Sequence, residues 1–475
     1  MIFHVRYYNK GCVVGAGNLK EGFWPSREGF DFPRKALTLQ KALNLPFTQA
    51  LQTNDKMGIM RKLTIVYFLA ALVFLAVSAG LVYRWPPVYE RLAWRLDFAR
   101  TYVRSLLNPI QAMPTAKPEP QTIVLEIPTE TPVPTPTRTP APTTEFTATP
   151  LPSPTPMPSS VSLPAPAWEK QDMNNCGPAS LTMYLRFYGW KGDQQTIMEV
   201  VKPYPEDRNV NVEELAYYVR TQAGWLNTQY RVGGDLDLLR RLLVAGIPVM
   251  VEESFYFEEP YWAGDDLWAA HYFLVTGYDQ ASKTFIGQDS FRGPEQRVPE
   301  ATLDQYWLAF NRVYILIYLP NQEETVKAIL GPNWDMDTNR QHALEAAQAE
   351  TKSTPENAFS WFNLGTNLTY FERYIEATDA YDKARLIGLP QRMLRYQFGP
   401  FIAYFHSGQL DDLLTLTEYA LKVTPSSEEA LLWYGWALYR QGKTSAALES
   451  FQEALTRNPT YQDAQYALDF VRTNQ

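Results

Sequence analysis

The chain has 475 residues, of which 45% are hydrophobic and 14% aromatic, so it can fill sizeable cores and is not disordered throughout. Its 43 basic and 51 acidic residues give a net charge of -8 without any block of Lys and Arg, which argues against nucleic acid as a partner. Only two cysteines occur, Cys12 and Cys176, and this excludes a disulfide-stapled scaffold.

The first strong signal is an apolar segment of 21 uncharged residues from Leu63 to Tyr83. As a helix it would be roughly 31 Å long, enough to cross a bilayer core. A buried core helix and a cleaved signal peptide are the alternatives, the latter because Arg61 and Lys62 precede the segment and Val77-Ser78-Ala79 resembles a cleavage site. We expect an uncleaved membrane-spanning helix, since the apolar run exceeds the usual length in signal peptides.

The segments that flank this span are less regular. Residues 1–56 show no sustained period, and we expect the natural start at Met57 or Met60, immediately before the basic pair. Residues 86–107 repeat apolar positions at helical spacing with arginines between them. This pattern predicts either a helix on the membrane surface or a solvated helix that continues the span.

A proline-rich segment follows, with 16 prolines between Pro114 and Pro166 interleaved with Thr and Ser. Such a segment favours extended polyproline conformations and acts as a semi-rigid spacer. Because spacers of this kind are typical of surface proteins, we expect everything after Tyr83 to lie outside the cell.

The composition becomes globular after Trp168. Hydrophobic periodicity predicts helices first and strands later, which is the order of an α+β domain with an antiparallel sheet. The predicted helices lie near 176–188, 193–201, 211–222 and 236–245, and the predicted strands at 247–252, 271–278, 284–289 and 313–319.

The sharpest local feature is the sequence QDMNNCGPAS at 171–180. Asn174 or Asn175 can cap a helix and Pro178 suits its first turn, so Cys176 is predicted at a helix N-terminus. There the backbone N–H groups and the helix dipole favour the thiolate form of a cysteine. A buried structural cysteine is the alternative.

Two further residues favour a catalytic role for Cys176 over a structural one. His271 is the only histidine between 168 and 320, and one cysteine with one histidine is what a thiolate–imidazolium pair requires. A hairpin centred on Ala281 would place Asp289 opposite Phe273 and His271 opposite Phe291, so that His271 and Asp289 share a face. Asp289 could then orient the imidazole, unless it is simply a turn carboxylate.

These motifs resemble papain-like cysteine peptidases of the bacteriocin-leader-processing, double-glycine type, and more narrowly the stand-alone C-thirty-nine-like branch of that group. The resemblance covers about 168–320 and rests on Cys-Gly-Pro-Ala-Ser, an upstream Gln, the strand HYFLVTGYD and the following Gln-Asp-Ser. It implies Cys176 as nucleophile, His271 as general base and acid, and Asp289 as the orienting residue. It also implies that the Gln171 side-chain amide and the Cys176 backbone N–H stabilise the oxyanion.

The chain departs from that family in two places. It has no Gly-rich Lys-Ser/Thr loop of an ATP-binding domain, so the resemblance leaves open whether it cleaves after a double glycine, as the transporter-fused members do. Ser290 follows Asp289 where the family often has proline.

An acidic and aromatic segment, EESFYFEEPYWAGDDLW at 252–268, precedes His271. It could rim the cleft and favour basic or amine-bearing substrates. We favour the other interpretation, a solvated loop whose aromatic side chains cover the sheet.

The C-terminal part contains an internal repeat. Trp361, Gly365 and Tyr381 recur 70 residues later as Leu431, Gly435 and Phe451, and the intervening residues keep a 34-residue phase. The pattern resembles tetratricopeptide repeats at 358–391, 394–427 (degenerate) and 428–461, with a capping helix at 462–472 and a half-repeat at 339–350. Such repeats suggest a concave face that binds a peptide.

The sequence thus predicts a multidomain protein: an α+β papain-like domain plus an all-α tetratricopeptide-repeat solenoid, preceded by one transmembrane helix and a disordered Pro/Thr stalk. The predicted segments are an N-terminal segment (1–62), a membrane helix (63–83), a juxtamembrane amphipathic helix (84–112), a Pro/Thr-rich linker (113–166), the peptidase-like domain (167–320), a helical connector (321–357) and the repeats (358–475).

The predicted function is that of a membrane-anchored, surface-exposed thiol hydrolase, most simply a peptidase. Its site residues are Cys176, His271, Asp289 and Gln171, and we expect no cofactor or metal. The expected partners are a peptide or protein substrate, a protein bound by the repeats, and the membrane. A non-catalytic peptide-binding scaffold and an amidase or transferase acting on a cell-wall or small-molecule amide are the alternatives.

Overall fold

The computed structural model describes residues 56–83, 85–116, 157–202, 204 and 207–474. The chain divides into two compact units, one ending at Tyr89 and the other running from Glu90 to Gln475. The predicted N-terminal segment up to residue 55 and the linker between 117 and 156 lie outside the described residues, as does Cys12.

Helix α1 spans Lys56–Tyr83 in the first unit. Its stretch Thr64–Tyr83 is long and apolar enough to cross a membrane, and it is the one helix of that kind in the described part of the chain. None of this stretch is buried by the unit itself, so its apolar side chains face outward.

Helix α2 spans Pro86–Leu107, and from Glu90 onward it belongs to the second unit. There the carboxylate of Asp97 accepts hydrogen bonds from Arg208 Nη2 at 2.7 Å and from the Tyr261 hydroxyl at 2.6 Å. Phe98 packs edge-on against the Tyr261 ring. These contacts attach one side of the helix to residues more than 100 positions away in sequence, which the sequence did not predict.

A seven-stranded antiparallel sheet forms the centre of the second unit, in the order β2-β7-β3-β4-β5-β6 with β1 paired to β4. All four predicted strands are present. The three that periodicity missed, β1, β2 and β6, are short or have polar sequences such as NTQYR and GPEQRVP. The strands are β1 (Ser160–Ser162), β2 (Asn227–Arg231), β3 (Val249–Tyr256), β4 (Trp268–Asp279), β5 (Thr284–Asp289), β6 (Gly293–Pro299) and β7 (Tyr314–Tyr318).

Helices cover both faces of this sheet, so β3, β4 and β7 are buried on both sides. Met250 and Leu274 lie in one hydrophobic core with residues of α3, and Val251 and Phe273 lie in a second core with residues of α6. The helices of this domain are α3 (Cys176–Phe187), α4 (Gln194–Val201), α5 (Val212–Gln222), α6 (Leu236–Val244) and α7 (Glu300–Leu308). The first four lie within two residues of the predicted bounds.

The C-terminal helices pair as predicted for tetratricopeptide repeats. Close helix approach explains the glycines, because an added Cβ would lie 2.7 Å from Tyr381 Cε1 at Gly365 and 2.5 Å from Phe451 Cε1 at Gly435. The helices are α8 (Glu323–Leu330), α9 (Met336–Ser353), α10 (Ala358–Tyr370), α11 (Tyr374–Ile387), α12 (Met393–Tyr396), α13 (Gly399–Ser407), α14 (Leu410–Val423), α15 (Glu428–Arg440), α16 (Thr444–Arg457) and α17 (Gln462–Thr473).

Both ends of the predicted linker are part of the fold rather than of a disordered stalk. At its start, Arg385 donates hydrogen bonds to the carbonyls of Pro114 and Thr115 at 3.0 and 3.1 Å. At its end, β1 pairs with β4, and the Tyr278 hydroxyl donates to the carbonyl of Pro158 at 2.6 Å. These contacts correct the predicted bounds 113–166 and move the start of the sheet domain to about residue 158.

The acidic and aromatic segment at 252–268 is not a solvated loop, so that prediction was wrong. Trp262 is fully buried, and its Nε1 donates to Gln391 Oε1 of the repeats at 2.8 Å. Asp265 forms a bidentate ion pair with Arg392, with both N···O distances 2.6 Å. The segment therefore joins the sheet domain to the repeats, and one hydrophobic core continues from α3 into α15.

Candidate active site

Cys176 is the first residue of α3 and is partly exposed. The loop that precedes it is held by Gln194, whose Oε1 accepts from the Asp172 backbone N–H and from Asn175 Nδ2, both at 2.8 Å. Lys202 adds a third support, with its Nζ donating to the carbonyl of Asn174 at 2.9 Å. The first N–H groups of a helix have no intrahelical partner, so those at Cys176 are available to an anion.

His271 and Asp289 come together across the β4–β5 hairpin. Phe273 pairs with Asp289, the predicted register, although a bulge between Val275 and Gly277 shifts the register by one nearer the turn. His271 Nε2 donates to Asp289 Oδ1 at 2.9 Å. The pairing of His271 with Phe291 does not form, because the ladder ends at Asp289 and the chain turns there.

The same turn fixes the carboxylate. The backbone N–H groups of Phe291 and Arg292 donate to Asp289 Oδ1 at 2.8 and 2.9 Å. His271 and Asp289 are both almost fully buried. A carboxylate with three donors on one oxygen has little freedom to rotate, so it fixes the orientation of the imidazole ring as well.

The electrostatics of this group favour a charged imidazole. Cys176 and His271 line the same cavity, while His271 Nε2 is bonded to Asp289. Burial alone would lower the pKa of His271, but its hydrogen bond to Asp289 and its interactions with the negative charges of Asp289 and Cys176 raise it to about 10. Burial would raise the pKa of Asp289, yet its bond to His271 and the charge of that ring hold it below the usual value.

Gln171 lies beside this group and is held by Ser290. Its backbone N–H donates to the carbonyl of Ser290 at 2.9 Å, and its Oε1 accepts from Ser290 Oγ at 2.8 Å. The structure therefore brings all four predicted site residues, Cys176, His271, Asp289 and Gln171, to one place.

Two buried acids complete the surroundings of the site. Glu253 lies opposite His271 in the register of β3 and β4. Burial raises the pKa of Glu253 to about 7. Burial also raises the pKa of Glu252 well above its usual value, with the negative charge of Cys176 adding to the increase. Within the described ranges, no group of three or more His, Cys, Asp and Glu side chains is placed to hold a metal ion.

Cys176 and His271 open onto a cavity of about 550 Å³. Phe98 of α2 contributes to its wall, and so do Arg392, Arg395 and Tyr396, which belong to the repeats. A volume of this size is typical of ligand sites. Sequence reasoning did not assign these residues to the site. It also missed Gln194, Lys202 and Ser290, because none of them lies in a recognisable motif. The one available signal was that Ser290 stands where the family often has proline.

Comparison with known proteins bears on the family. Residues 162–315 match the model of the Peptidase_C39 like family, and residues 428–461 match that of the tetratricopeptide repeat. The resemblance inferred from the sequence is thus confirmed, and the second match has the predicted bounds of the last repeat. No curated protein matches.

Several solved structures are similar to parts of the chain. One described as a C39-like peptidase from Bacillus anthracis has 16% identity and a TM-score of 0.26, covering 33% of this chain and 96% of its own. A double glycine motif protease from an AMS/PCAT transporter, in complex with the leader peptide, has 13% identity and a TM-score of 0.25. The match covers 34% of this chain and 94% of that protease. YrrB, a tetratricopeptide-repeat protein with an unusual peptide-binding site, has 20% identity and a TM-score of 0.25. The match covers 28% of this chain and 69% of YrrB.

Proposed function

We propose that this chain, which joins a Peptidase_C39-like domain to tetratricopeptide repeats, is a membrane-anchored cysteine peptidase. The observation that carries the proposal is the His271–Asp289 hydrogen bond, 2.9 Å long, beside Cys176 at the wall of a 550 Å³ cavity. A nucleophile, a base and an orienting carboxylate in this order are the arrangement that acyl transfer requires.

In this mechanism the Cys176 thiolate attacks the carbonyl carbon of the scissile amide. The resulting oxyanion accepts hydrogen bonds from the Cys176 backbone N–H and from Gln171 Nε2. The His271 imidazolium then protonates the leaving amine, and the C–N bond breaks to give a thioester. Neutral His271 next removes a proton from water, which attacks the thioester carbonyl, and the thiolate leaves.

The chain supplies its own control for a test, because it has only two cysteines. The full-length protein in detergent is treated with iodoacetamide at pH 6, and alkylation of Cys176 and Cys12 is followed by mass spectrometry. We expect Cys176 to react much faster than Cys12, and the fast phase to disappear in His271→Ala. The same preparation should hydrolyse members of a fluorogenic peptide library, and Cys176→Ala should abolish hydrolysis while Cys12→Ala does not.

Other results would favour the alternatives. Equal reactivity of the two cysteines and no hydrolysis would support a non-catalytic scaffold that only grips peptides. Fast alkylation of Cys176 without peptide hydrolysis, together with release of amine from small amides, would support an amidase.

The proposed localisation rests on the exposed apolar helix 64–83. We propose that it anchors the protein in the cell membrane and that the catalytic and repeat domains lie on the outer side. Protease added to intact cells should then cleave the chain between about 117 and 157, between the two folded ends of the linker. An N-terminus at Gly80 recovered from the medium would instead indicate a cleaved signal peptide.

A further inference from the structure

Arg395, a residue of α12 in the repeats, lines the cavity that holds Cys176 and His271. It is only 8% exposed. Its Nε donates to Thr424 Oγ1 at 2.9 Å, whereas its Nη2 has no hydrogen-bond partner among the described residues. A buried guanidinium nitrogen without a partner is energetically unfavourable, so its presence needs an explanation.

The neighbouring arginines of the same cavity have their own counter-ions. Arg208 is paired with Asp97 at 2.7 Å, and Arg392 is paired with Asp265 at 2.6 Å and lies 3.6 Å from Asp266. No carboxylate of the described residues lies within ion-pair distance of Arg395. The carboxylates on this wall that form ion pairs are thus taken by Arg208 and Arg392, which leaves Arg395 as the arginine without a counter-ion in the described part of the chain.

The other charged groups near Arg395 do not form an ion pair with it either. Lys170 and Asp172 also line the cavity and have opposite charges, and burial raises the pKa of Glu252, which favours its neutral form. On its other side Arg395 borders a narrow crevice with Asp207, Glu428 and Glu429. Burial raises the pKa of all three carboxyls, that of Asp207 to about 7, and none of the three forms an ion pair with Arg395.

Arg395 itself remains charged. Burial lowers its pKa to about 10, with Arg208 and Arg392 adding to the decrease. A guanidinium is the side chain best suited to a carboxylate, because its planar fork makes two parallel hydrogen bonds.

We propose that Arg395 binds a carboxylate of the substrate, so that the repeats supply a specificity residue to the active-site cavity. This inference rests on the proposed peptidase function and names its substrate class: peptides that carry a carboxylate close to the scissile bond. The carboxylate comes either from an Asp or Glu side chain or from the C-terminus of the peptide. The repeats thereby act in recognition at the cavity itself.

The test uses the full-length protein and pairs of fluorogenic tetrapeptides that differ only by Glu or Gln at one position, with each position taken in turn. A second set of pairs, detected by mass spectrometry, differs only by a free or amidated C-terminus. At one position the wild type should prefer the carboxylate by about ten- to hundredfold in kcat/KM, and Arg395→Gln should remove this preference. The set that shows the preference identifies the source of the carboxylate.

Two variants separate recognition from folding. Arg395→Lys should retain part of the preference, because it keeps the charge but not the fork. Arg373→Gln, which changes an exposed arginine of the repeats paired only with Glu376, should leave the preference unchanged. Arg395→Gln should melt no lower than the wild type, since it removes an unpaired buried charge.

Binding separates this inference from the peptidase proposal. The Cys176→Ala protein should bind the preferred carboxylate peptide at least tenfold more tightly than its neutral counterpart, whether or not the wild type hydrolyses it. Equal affinities in Cys176→Ala, or a wild-type preference that Arg395→Gln leaves intact, would overturn the role of Arg395. Absence of hydrolysis with retained binding preference would overturn only the peptidase.

Discussion

Ser290 Oγ donates a hydrogen bond to Gln171 Oε1 across 2.8 Å, and the Gln171 backbone N–H donates back to the Ser290 carbonyl across 2.9 Å. Ser290 is fully buried and directly follows Asp289. The carbonyl end of the Gln171 amide is thereby occupied, which leaves Nε2 as the donor for an oxyanion. One turn of the chain thus fixes both the carboxylate that orients His271 and the amide expected to stabilise the transition state.

Ser290→Ala should lower kcat about tenfold and leave KM nearly unchanged. The hydroxyl does not touch the reacting atoms but positions a donor whose full loss is worth about 10² to 10³ in kcat in comparable sites. Steady-state kinetics with the best fluorogenic peptide measures the two parameters separately. An equal fall in thermal stability and in all kinetic parameters would indicate a merely structural serine.

The same idea predicts non-additivity. Ser290→Ala should have almost no further effect in a Gln171→Ala background, because the side chain that it positions is gone. Additive losses in the double variant would show that Ser290 and Gln171 act independently.

Asp289→Asn should change the pH dependence of Cys176 alkylation. The wild-type His271 pKa of about 10 keeps the imidazolium charged through neutral pH, and it is held there largely by the bond to Asp289. Without the carboxylate the pKa of His271 falls, so we expect alkylation at pH 6 to be at least about tenfold slower, with the difference vanishing at alkaline pH. Wild-type rates that rise only around pH 8.5, as for an ordinary thiol, would contradict the ion pair.

The same pair predicts how stability depends on pH. Since the pKa of His271 is raised in the folded protein, its contribution is complete below about pH 6.5 and is lost as the pH rises through about 10. The contribution of Asp289, whose pKa is lowered, is lost as the pH falls below its unfolded value of about 3.9. Denaturation of the wild type and of His271→Ala should therefore differ most between these limits.

Arg392→Met should destabilise the second unit by about 3–5 kcal/mol, because it leaves the Asp265 carboxylate buried without a counter-ion. Both side chains of this pair are at most 1% exposed. Arg373→Met, which breaks an exposed pair with Glu376, is the matched control and should change the free energy of unfolding by about 0–1 kcal/mol. Urea denaturation followed by circular dichroism measures both.

Truncation after residue 357 should abolish hydrolysis of every substrate, including small esters. The repeats cover Trp262 and Trp268, and they supply Arg392, whose Nη1 donates to the carbonyl of Trp268 at 2.9 Å, three residues before His271. A truncated protein that is folded by circular dichroism and still hydrolyses small esters would show that the repeats serve recruitment alone.

Much of the fold and of the site follows from local signals. The helix that begins at Cys176 is indicated by Pro178 in its first turn, although the predicted asparagine cap does not form, since Asn175 makes no side-chain capping hydrogen bond. The strand of His271 is indicated by an apolar run, and the last repeat by Gly435 and Phe451 at fixed spacing. The relation between His271 and Asp289 was also predictable, because a hairpin fixes which residues share a face. The bulge between Val275 and Gly277 was not predicted, since a one-residue shift in register leaves no trace in the hydrophobic pattern.

The amino-acid sequence by itself determined the apolar span, the order of helices and strands, the repeat period and the identities of Cys176, His271, Asp289 and Gln171. Only the tertiary structure decided that Trp262 and Asp265 of the segment 252–268 are buried against the repeats, that α2 borders the cavity, and that Arg395 lines it. The physical reason is range: caps, periodicity and hairpin register act over a few residues. The pairing of Asp265 with Arg392, 127 positions away, depends on how complete domains pack, and no local pattern records it.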